Sequence, residues 1–235
     1  MNDKIFSREI AAGYDPVILA NATISVVGAG AMGQNVSICL AQSQVGAMNV
    51  TDYDHWEPHN ATRSICYPNQ AERKRWGTNK AAVVAHKVKQ LVHWSDRPHI
   101  HYAPRRIQEL GDAPFRKASV VISAVDNQAA RDYIGFKTAQ FGVPLVEGGF
   151  SGPRMNATIL PNDSPKSPCW HCNRYDEDDQ NKAIQLGCTR VAREVEQAGL
   201  VPAIPSASAY LAAFMAEAAI QLTHGTIQLG NRQIF

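Results

Sequence analysis

The chain of 235 residues is long enough to bury a substantial core, and its 45% hydrophobic and 19% charged residues are ordinary for a globular protein. A net charge of +2 is too small to indicate nucleic acid or an anionic membrane, so we expect neither partner. No signal peptide is visible, and the most apolar stretch, Ser206 to Leu222, is interrupted by Glu217 and indicates a buried helix. We therefore expect a cytoplasmic protein.

The first two thirds of the chain alternate predicted strands with predicted helices after a polar N-terminal arm, residues 1–20. The predicted strands are Thr23–Val27, Ala47–Thr51, His99–Ala103, Ser119–Ala124 and Pro144–Glu147, the last one closed by Gly148 and Gly149. The predicted helices run from the first glycine turn to Gln42, from Lys80 to Val92 and from Asn127 to Gln140. A long polar loop, His55 to Thr78, separates the second strand from the second helix.

The last third has a different character. Met155 to Leu160 predicts an exposed strand, and a helix is expected from about Ser206 to Thr223. Between them, residues 169–200 form a polar, highly charged segment that is longer than most ordered loops, which favours a crossover or lid over the site. The whole pattern predicts a single α/β domain over residues 1–235: a Rossmann-like, doubly wound, mostly parallel sheet with a C-terminal extension and a crossover loop.

A phosphate-binding turn follows the first strand. Gly28, Gly30 and Gly33 have the spacing that permits a tight turn and close backbone approach, and the next helix presents its N-terminus to an anion. Asp52 ends the second strand, where a carboxylate can accept hydrogen bonds from ribose hydroxyls. A nicotinamide- or flavin-dependent oxidoreductase has the same fingerprint, and by themselves these features favour such an enzyme.

Further motifs distinguish the alternatives. They occur in this order: Ser7-Arg8-Glu9-Ile10, Asp52-x-Asp54, Asn60-x-x-Arg63, Lys80 at the head of a helix, and Asp126-Asn127 with Arg131 one turn later. Together with the glycine turn, they resemble the ThiF/MoeB/HesA family of ubiquitin-activating-enzyme-like adenylyltransferases. The resemblance extends from about Ile5 to Gly225.

The resemblance implies ATP- and magnesium-dependent adenylation of the C-terminal carboxylate of a ubiquitin-like or sulfur-carrier protein, with release of pyrophosphate. Arg63 and Lys80 would supply positive charge, Asp126 would hold Mg²⁺, and Asn60 would orient phosphate or ribose. Asp54 and Asn127 would support the nucleotide site. Arg8 would reach the nucleotide of a partner in a homodimer, as an arginine finger does.

The cysteines leave alternatives open. Cys169-x-x-Cys172 has metal-ligand spacing, but a tetrahedral zinc site needs about four ligands, and the second Cys-x-x-Cys pair of many relatives is missing. Cys188 could be a third ligand, an ordinary thiol, or a nucleophile that receives the activated carboxylate.

Two rival functions stay open beside adenylation. A nicotinamide-dependent oxidoreductase does not explain Arg63, Lys80 and Asp126 together. A non-catalytic subunit that docks a carrier protein is the second rival. If the chain adenylates a carrier protein, Gly148 and Gly149 would leave room for the carrier's C-terminal tail. The basic run Arg73–Arg75 could attract phosphate, but it is interpreted as a solvated basic face.

Overall fold

The computed structural model describes residues 6–151, 154–164, 167–168, 170–173 and 204–227. Its centre is a six-stranded sheet in the order β3-β2-β1-β4-β5-β6. The strands are β1 (Thr23–Val27), β2 (Ala47–Thr51), β3 (His99–Ala103), β4 (Val120–Ser123), β5 (Leu145–Ser151) and β6 (Arg154–Leu160). The first five strands are parallel, and β6 runs antiparallel to β5 at one edge. This confirms the predicted doubly wound α/β fold.

Helices cover both faces of the sheet. They are α1 (Ser7–Ala11), α2 (Pro16–Asn21), α3 (Ala31–Gln42), α4 (Gln70–Trp76), α5 (Lys80–Leu91), α6 (Ala113–Arg116), α7 (Gln128–Phe141) and α8 (Pro205–His224). Short 3₁₀ helices occur at Pro58–Arg63, Ile107–Leu110 and Trp170–Asn173.

Successive strand residues belong to two separate hydrophobic layers because side chains alternate across a strand. Ile122 packs in the larger layer with α3, α5 and α8, whereas Val121 packs in the smaller layer with α6 and α7. Both side chains are fully buried. The β-branched runs recognised in the sequence are thus buried on both faces, as expected for the central strands of a parallel sheet.

The order of the strands reverses between β1 and β4, which are neighbours although two strands separate them in sequence. In open α/β sheets, ligands bind in the crevice at the carboxyl ends of the strands at such a switch point. Here that crevice lies between the turn after Val27 and the segment after Ser123.

Two predictions about local structure were wrong. The polar stretch from His55 to Thr78 is not a plain loop, since it contains the 3₁₀ helix Pro58–Arg63 and α4. Asn69 caps α4 in a reciprocal pair of hydrogen bonds with Glu72, and this local signal was present in the sequence. The fifth strand does not stop at the glycines either, but continues to Ser151 because β6 pairs with it along its full length.

The N-terminal arm packs on α8. The Tyr14 hydroxyl donates to the Glu217 carboxylate, and the backbone N–H of Asp15 donates to Nε2 of His224 at 2.9 Å. Within the described part of the chain, no helix has the length and apolarity needed to cross a bilayer.

Candidate functional site

The glycine turn is fixed by close contacts between backbones. Gly28 has φ +92°, and a Cβ there would lie 2.5 Å from the Ala124 carbonyl oxygen. A Cβ at Gly33 would lie 1.8 Å from the Gly28 carbonyl oxygen. Any side chain at these two positions would displace main chain, so only glycine fits.

Gly30 differs from its two neighbours. A Cβ built there meets nothing within 4 Å, and its φ of −74° is open to any residue. Gly30 is the N-cap of α3, and no side chain of the described residues caps that helix end. The uncapped N–H groups and the open space beside Gly30 have the chemistry that a phosphate requires, and phosphate binding at this turn stays a prediction.

Asp52 holds the turn in place. Its Oδ2 accepts a hydrogen bond from the Ala29 N–H at 2.7 Å, and its Oδ1 accepts one from the Asp54 N–H at 2.8 Å. Burial raises the pKa of this carboxyl, while the two N–H groups and the Lys80 ammonium counteract the rise. These contacts show that Asp52 organises the turn, whereas its predicted contact with ribose stays a prediction.

Lys80 lies at the start of α5, near the Asp52 carboxylate. Its ammonium is 3.0 Å from Oδ2 of Asp54, and only 14% of its side chain is exposed. Asn79, which sequence reasoning missed, caps α5 and donates to the carbonyls of Asp52 and Asp54 at 3.0 and 3.1 Å. An Asn directly before a helical run is a recognised cap signal and could have revealed this residue.

Asn60 and Arg63 lie on the same 3₁₀ helix. Asn60 is buried, and its side-chain oxygen Oδ1 accepts a hydrogen bond from the Glu57 N–H at 3.0 Å. This oxygen therefore stabilises the start of the 3₁₀ helix. Gln34, buried in α3, donates to the Arg63 carbonyl at 3.3 Å and accepts the Cys66 N–H at 2.7 Å. Gln34 therefore positions the chain at Arg63, a long-range role that no local pattern predicts.

Arg63 lines an open cavity of about 410 Å³. Its other lining residues include Asn35 of α3 and the first turns of α8, among them Pro205 and Ser206. Arg63 thus lies between α3, which starts at the glycine turn, and the first turns of α8.

Asp126 is exposed at the carboxyl end of β4, two residues after Ala124, which touches Gly28. Asn127 accepts the Ala130 N–H at 2.8 Å and caps α7, and its role at the nucleotide site stays a prediction. No group of three or more potential metal ligands occurs among the described residues. A single carboxylate still fits Mg²⁺, which commonly takes one or two carboxylates plus phosphate oxygens.

An ion pair beneath the site supports this segment. The Arg131 guanidinium donates to the Val125 carbonyl at 3.0 and 3.2 Å, and its Nε lies 3.3 Å from Oε1 of Glu147. Burial raises the pKa of Glu147 to about 7, although the Arg131 charge acts to lower it. The pair therefore anchors the main chain directly before Asp126 to β5.

The two glycines of β5 do not leave room for a substrate tail, contrary to the sequence-based expectation. A Cβ at Gly148 would lie 2.3 Å from Sδ of Met215, and one at Gly149 would lie 2.5 Å from Nη2 of Arg131. Both spaces are filled by the protein itself. Gly148 lets α8 pack on the sheet, and Gly149 accommodates the ion-paired arginine.

Arg8 is exposed on α1 and is not brought to the site within its own chain by any described contact. The residues that follow it reach Glu217 and His224 in the second half of α8, whereas the first turns of α8 lie beside Arg63. A helix of 20 residues is about 30 Å long, so these are distant ends.

Cys169, Cys188 and most of the predicted lid at 169–200 lie outside the described residues, and their roles stay predictions. Cys172 is exposed on the 3₁₀ helix Trp170–Asn173. Burial raises the pKa of the Cys66 thiol to about 12, which keeps it protonated at neutral pH and excludes it as a ready nucleophile.

Comparisons with known proteins identify the family of the chain. A sequence model of the ThiF family matches residues 13–234, so the chain belongs to the ThiF family. Among its relatives is the "Adenylyltransferase and sulfurtransferase MOCS3-2" of Zea mays, 27% identical over 154 residues, which are 66% of this chain and 30% of that protein. The "Sulfur carrier protein ThiS adenylyltransferase" of Bacillus subtilis is 26% identical over 66% of this chain and 44% of its own length.

Solved structures show the same fold. A structure described as E. coli MccB with ATP matches 96% of this chain and 65% of its own chain, with a TM-score of 0.72 and 19% identity. MccB with the peptide MccA-N7isoASN gives a TM-score of 0.73 at 18% identity, over 95% of this chain and 65% of that one. The matched regions of the maize and Bacillus proteins span less than half of those relatives.

The Glu147–Arg131 pair generates a prediction about pH. Folding raises the pKa of Glu147 from 4.5 to about 7, so the native state binds the extra proton between these values and loses stability as the pH rises through them. We expect Glu147→Gln to remove this loss. In urea unfolding from pH 4.5 to 8, the stability of the variant relative to wild type should increase by up to about 3 kcal/mol.

Glu109→Gln serves as the control because Glu109 is exposed on the surface. It should leave the pH dependence of the unfolding free energy unchanged. A constant difference between Glu147→Gln and wild type across this pH range would contradict a buried, proton-binding Glu147.

Proposed function

We propose that this chain uses ATP and Mg²⁺ to adenylate the C-terminal carboxylate of a small ubiquitin-like or sulfur-carrier protein. The observation that carries the proposal is the arrangement of Lys80 and Asp126 around an uncapped, open phosphate turn that Asp52 holds in place. The relatives that are named adenylyltransferases support the same chemistry. An oxidoreductase would have no use for these groups beside the turn.

The proposed step is a substitution at the α-phosphorus of ATP. A carboxylate oxygen of the carrier forms a new bond to this phosphorus, the bond from phosphorus to the bridging oxygen breaks, and pyrophosphate leaves. Both reactants are anions, so the site must offset their repulsion and stabilise the charge of the transition state. Lys80 and Arg63 would provide this positive charge.

Lys80 is suited to this role by its surroundings. Its stem is mostly buried and its ammonium rests against Asp54, which orients the charge before a nucleotide arrives. Asp54 itself is 42% exposed, so the pair is open to phosphate on one side. A charged group that is already positioned does not have to reorganise during the reaction. It therefore stabilises the charge of the transition state at little cost in free energy.

Asp126 would hold magnesium together with phosphate oxygens, and Asn60 would offer its amide N–H groups to the nucleotide. Magnesium, when bound, would neutralise phosphate charge. The Arg131 guanidinium would keep the segment before Asp126 against the glycine turn. The role of Cys188 can be tested by measuring the zinc content of the purified protein. A zinc-ligand role requires bound metal, whereas an ordinary thiol or a nucleophile does not.

The charged groups give a direct test. Arg63→Ala, Lys80→Ala and Asp126→Ala should each lose on the order of a hundredfold or more in ATP–pyrophosphate exchange, as other lost electrostatic stabilisers do. The exchange is measured with a panel of purified small proteins that end in Gly-Gly.

Lys87→Ala is a matched control for Lys80→Ala. Lys87 lies on the same helix, is similarly buried at 20% exposure, and also forms an ion pair, 2.9 Å from Glu72. It should keep the wild-type exchange rate. Wild-type rates in all three site variants, or an equal loss in Lys87→Ala, would contradict the assignment.

Arg8 is proposed to act on the nucleotide of a second copy in a homodimer. Tyr14 and Asp15, a few residues after Arg8, contact α8 far from its first turns beside Arg63, which supports an action of Arg8 in the partner rather than in its own chain. If so, mixing inactive Arg8→Ala with inactive Asp126→Ala protein should restore part of the exchange activity, because one site of each hybrid dimer carries neither defect.

Subunit exchange in the mixture is checked separately by mass-tagged subunits. With hybrids formed and no activity recovered, Arg8 would have to act in its own subunit or not at all.

A further inference from the structure

The modest net charge of the chain conceals a strong separation of charge. Residues 73–106 contain nine Lys and Arg but one acidic residue, Asp96, a net charge of +8. The other 201 residues contain 14 Lys and Arg against 20 acidic residues, a net charge of −6. The overall value of +2 is therefore the sum of a very basic segment and an acidic remainder.

The fold gathers this basic segment on one side of the molecule. It forms the end of α4, all of α5 and the edge strand β3. Three rings join these elements: Trp76 stacks on His86 with centroids 5.1 Å apart, and His86 lies 5.7 Å from Tyr102. Burial lowers the pKa of His86, and Arg75 and Lys89 lower it further, which places both charges near this ring.

Most of the positive charge on this surface is not neutralised. The exposed residues Arg75, Lys89 and Arg105 have no carboxylate within ion-pair distance among the described residues. Elsewhere, Arg116 and Lys137 share Asp112 at 2.8 and 2.7 Å. We use the name basic edge for Arg75, Trp76, His86, Lys89, Tyr102 and Arg105.

The chemistry of the basic edge favours nucleic acid over an acidic protein. Five of the nine basic residues between 73 and 106 are arginines, whose planar guanidinium matches phosphate oxygens. Tyr102 is 45% exposed and offers a ring on which an unpaired base can stack. An acidic protein is the alternative partner for this charge, and competition with poly-glutamate distinguishes the two.

The basic edge also leads toward the candidate nucleotide site. β3 ends at Ala103, whose carbonyl accepts the Asp52 N–H at 3.2 Å. Three residues later, the Arg106 guanidinium lies over the ring of Tyr53, 4.3 Å from its centre. Five residues of β3 span about 17 Å, enough for a few phosphates of an extended strand.

We propose that the basic edge binds the phosphate backbone of single-stranded RNA, with Tyr102 stacking against a base. This surface goes beyond the proposed adenylation and does not depend on it. The net charge of the whole chain did not predict this basic surface, because the acidic remainder of the chain offsets the positive charge of residues 73–106.

Fluorescence anisotropy with a labelled, mixed-sequence RNA of about 20 nucleotides tests the proposal between 50 and 200 mM KCl. The affinity should fall with salt by a log–log slope of about −0.7 for each phosphate contact. Arg75→Ala/Lys89→Ala should bind at least about tenfold more weakly, with a slope shallower by about 1.4, since two contacts are lost.

The matched control is Arg116→Ala/Lys117→Ala, which removes the same charge from exposed residues on the other face of the sheet and should bind like wild type. Tyr102→Leu should weaken binding at least about fivefold with an unchanged slope, because stacking is lost and charge is not. Thermal unfolding of each variant checks the fold independently of RNA binding.

Three results would overturn the proposal. The first is that folded wild-type protein does not bind the RNA at 50 mM KCl. Another is an equal loss of affinity in the control variant, which would mean general attraction rather than a surface. The third is displacement of RNA by poly-glutamate at equal charge with Tyr102→Leu unaffected, which would assign the basic edge to an acidic protein.

Discussion

The candidate site depends on one partly buried carboxylate. Asp52 ends β2, but its two oxygens accept hydrogen bonds from the turn after β1 and from the chain that leaves β2. A partly buried carboxylate is costly unless its oxygens are satisfied, and here the satisfying groups are backbone N–H groups of the site itself. The same interaction that makes the burial tolerable therefore sets the distance between the glycine turn and the segment that leads to Lys80.

Other parts of the site are built on this connection. Asn79 donates to the carbonyls on either side of Tyr53 and caps α5, so the helix carrying Lys80 starts at a fixed place. On the other side of the turn, Ala124 packs against Gly28, and Arg131 holds the Val125 carbonyl. Positive charge, a carboxylate and an uncapped helix N-terminus thus meet at the point where the strand order reverses.

Much of this arrangement could be predicted from the sequence, because its signals are local. The β-branched strand, the glycine spacing and the Asp after the second strand are all patterns within a few residues. The fold and the family were confirmed for this reason. α4 was missed although its Asn69 and Glu72 capping pair was present, so a local signal was overlooked there rather than lacking.

The remaining features depend on contacts between distant residues. Gly148 and Gly149 suggested the end of a strand, but their role is set by Met215 and Arg131, which lie far away in sequence. Likewise, Gln34 supports Arg63 across 29 residues, and Glu147 pairs with Arg131 through the packing of α7 on β5. No propensity or spacing rule contains this information, since it arises only when the sheet is assembled.

The central claim is that this turn binds ATP rather than a nicotinamide dinucleotide, and calorimetry of the wild type and Gly30→Ala tests it most directly. The wild type should bind ATP with Mg²⁺ in the low-micromolar to millimolar range of enzyme substrates. Gly30→Ala should keep its thermal stability, because the added methyl group meets no protein atom within 4 Å, but should lose most ATP binding. Binding of NAD by the wild type with no binding of ATP would contradict the account.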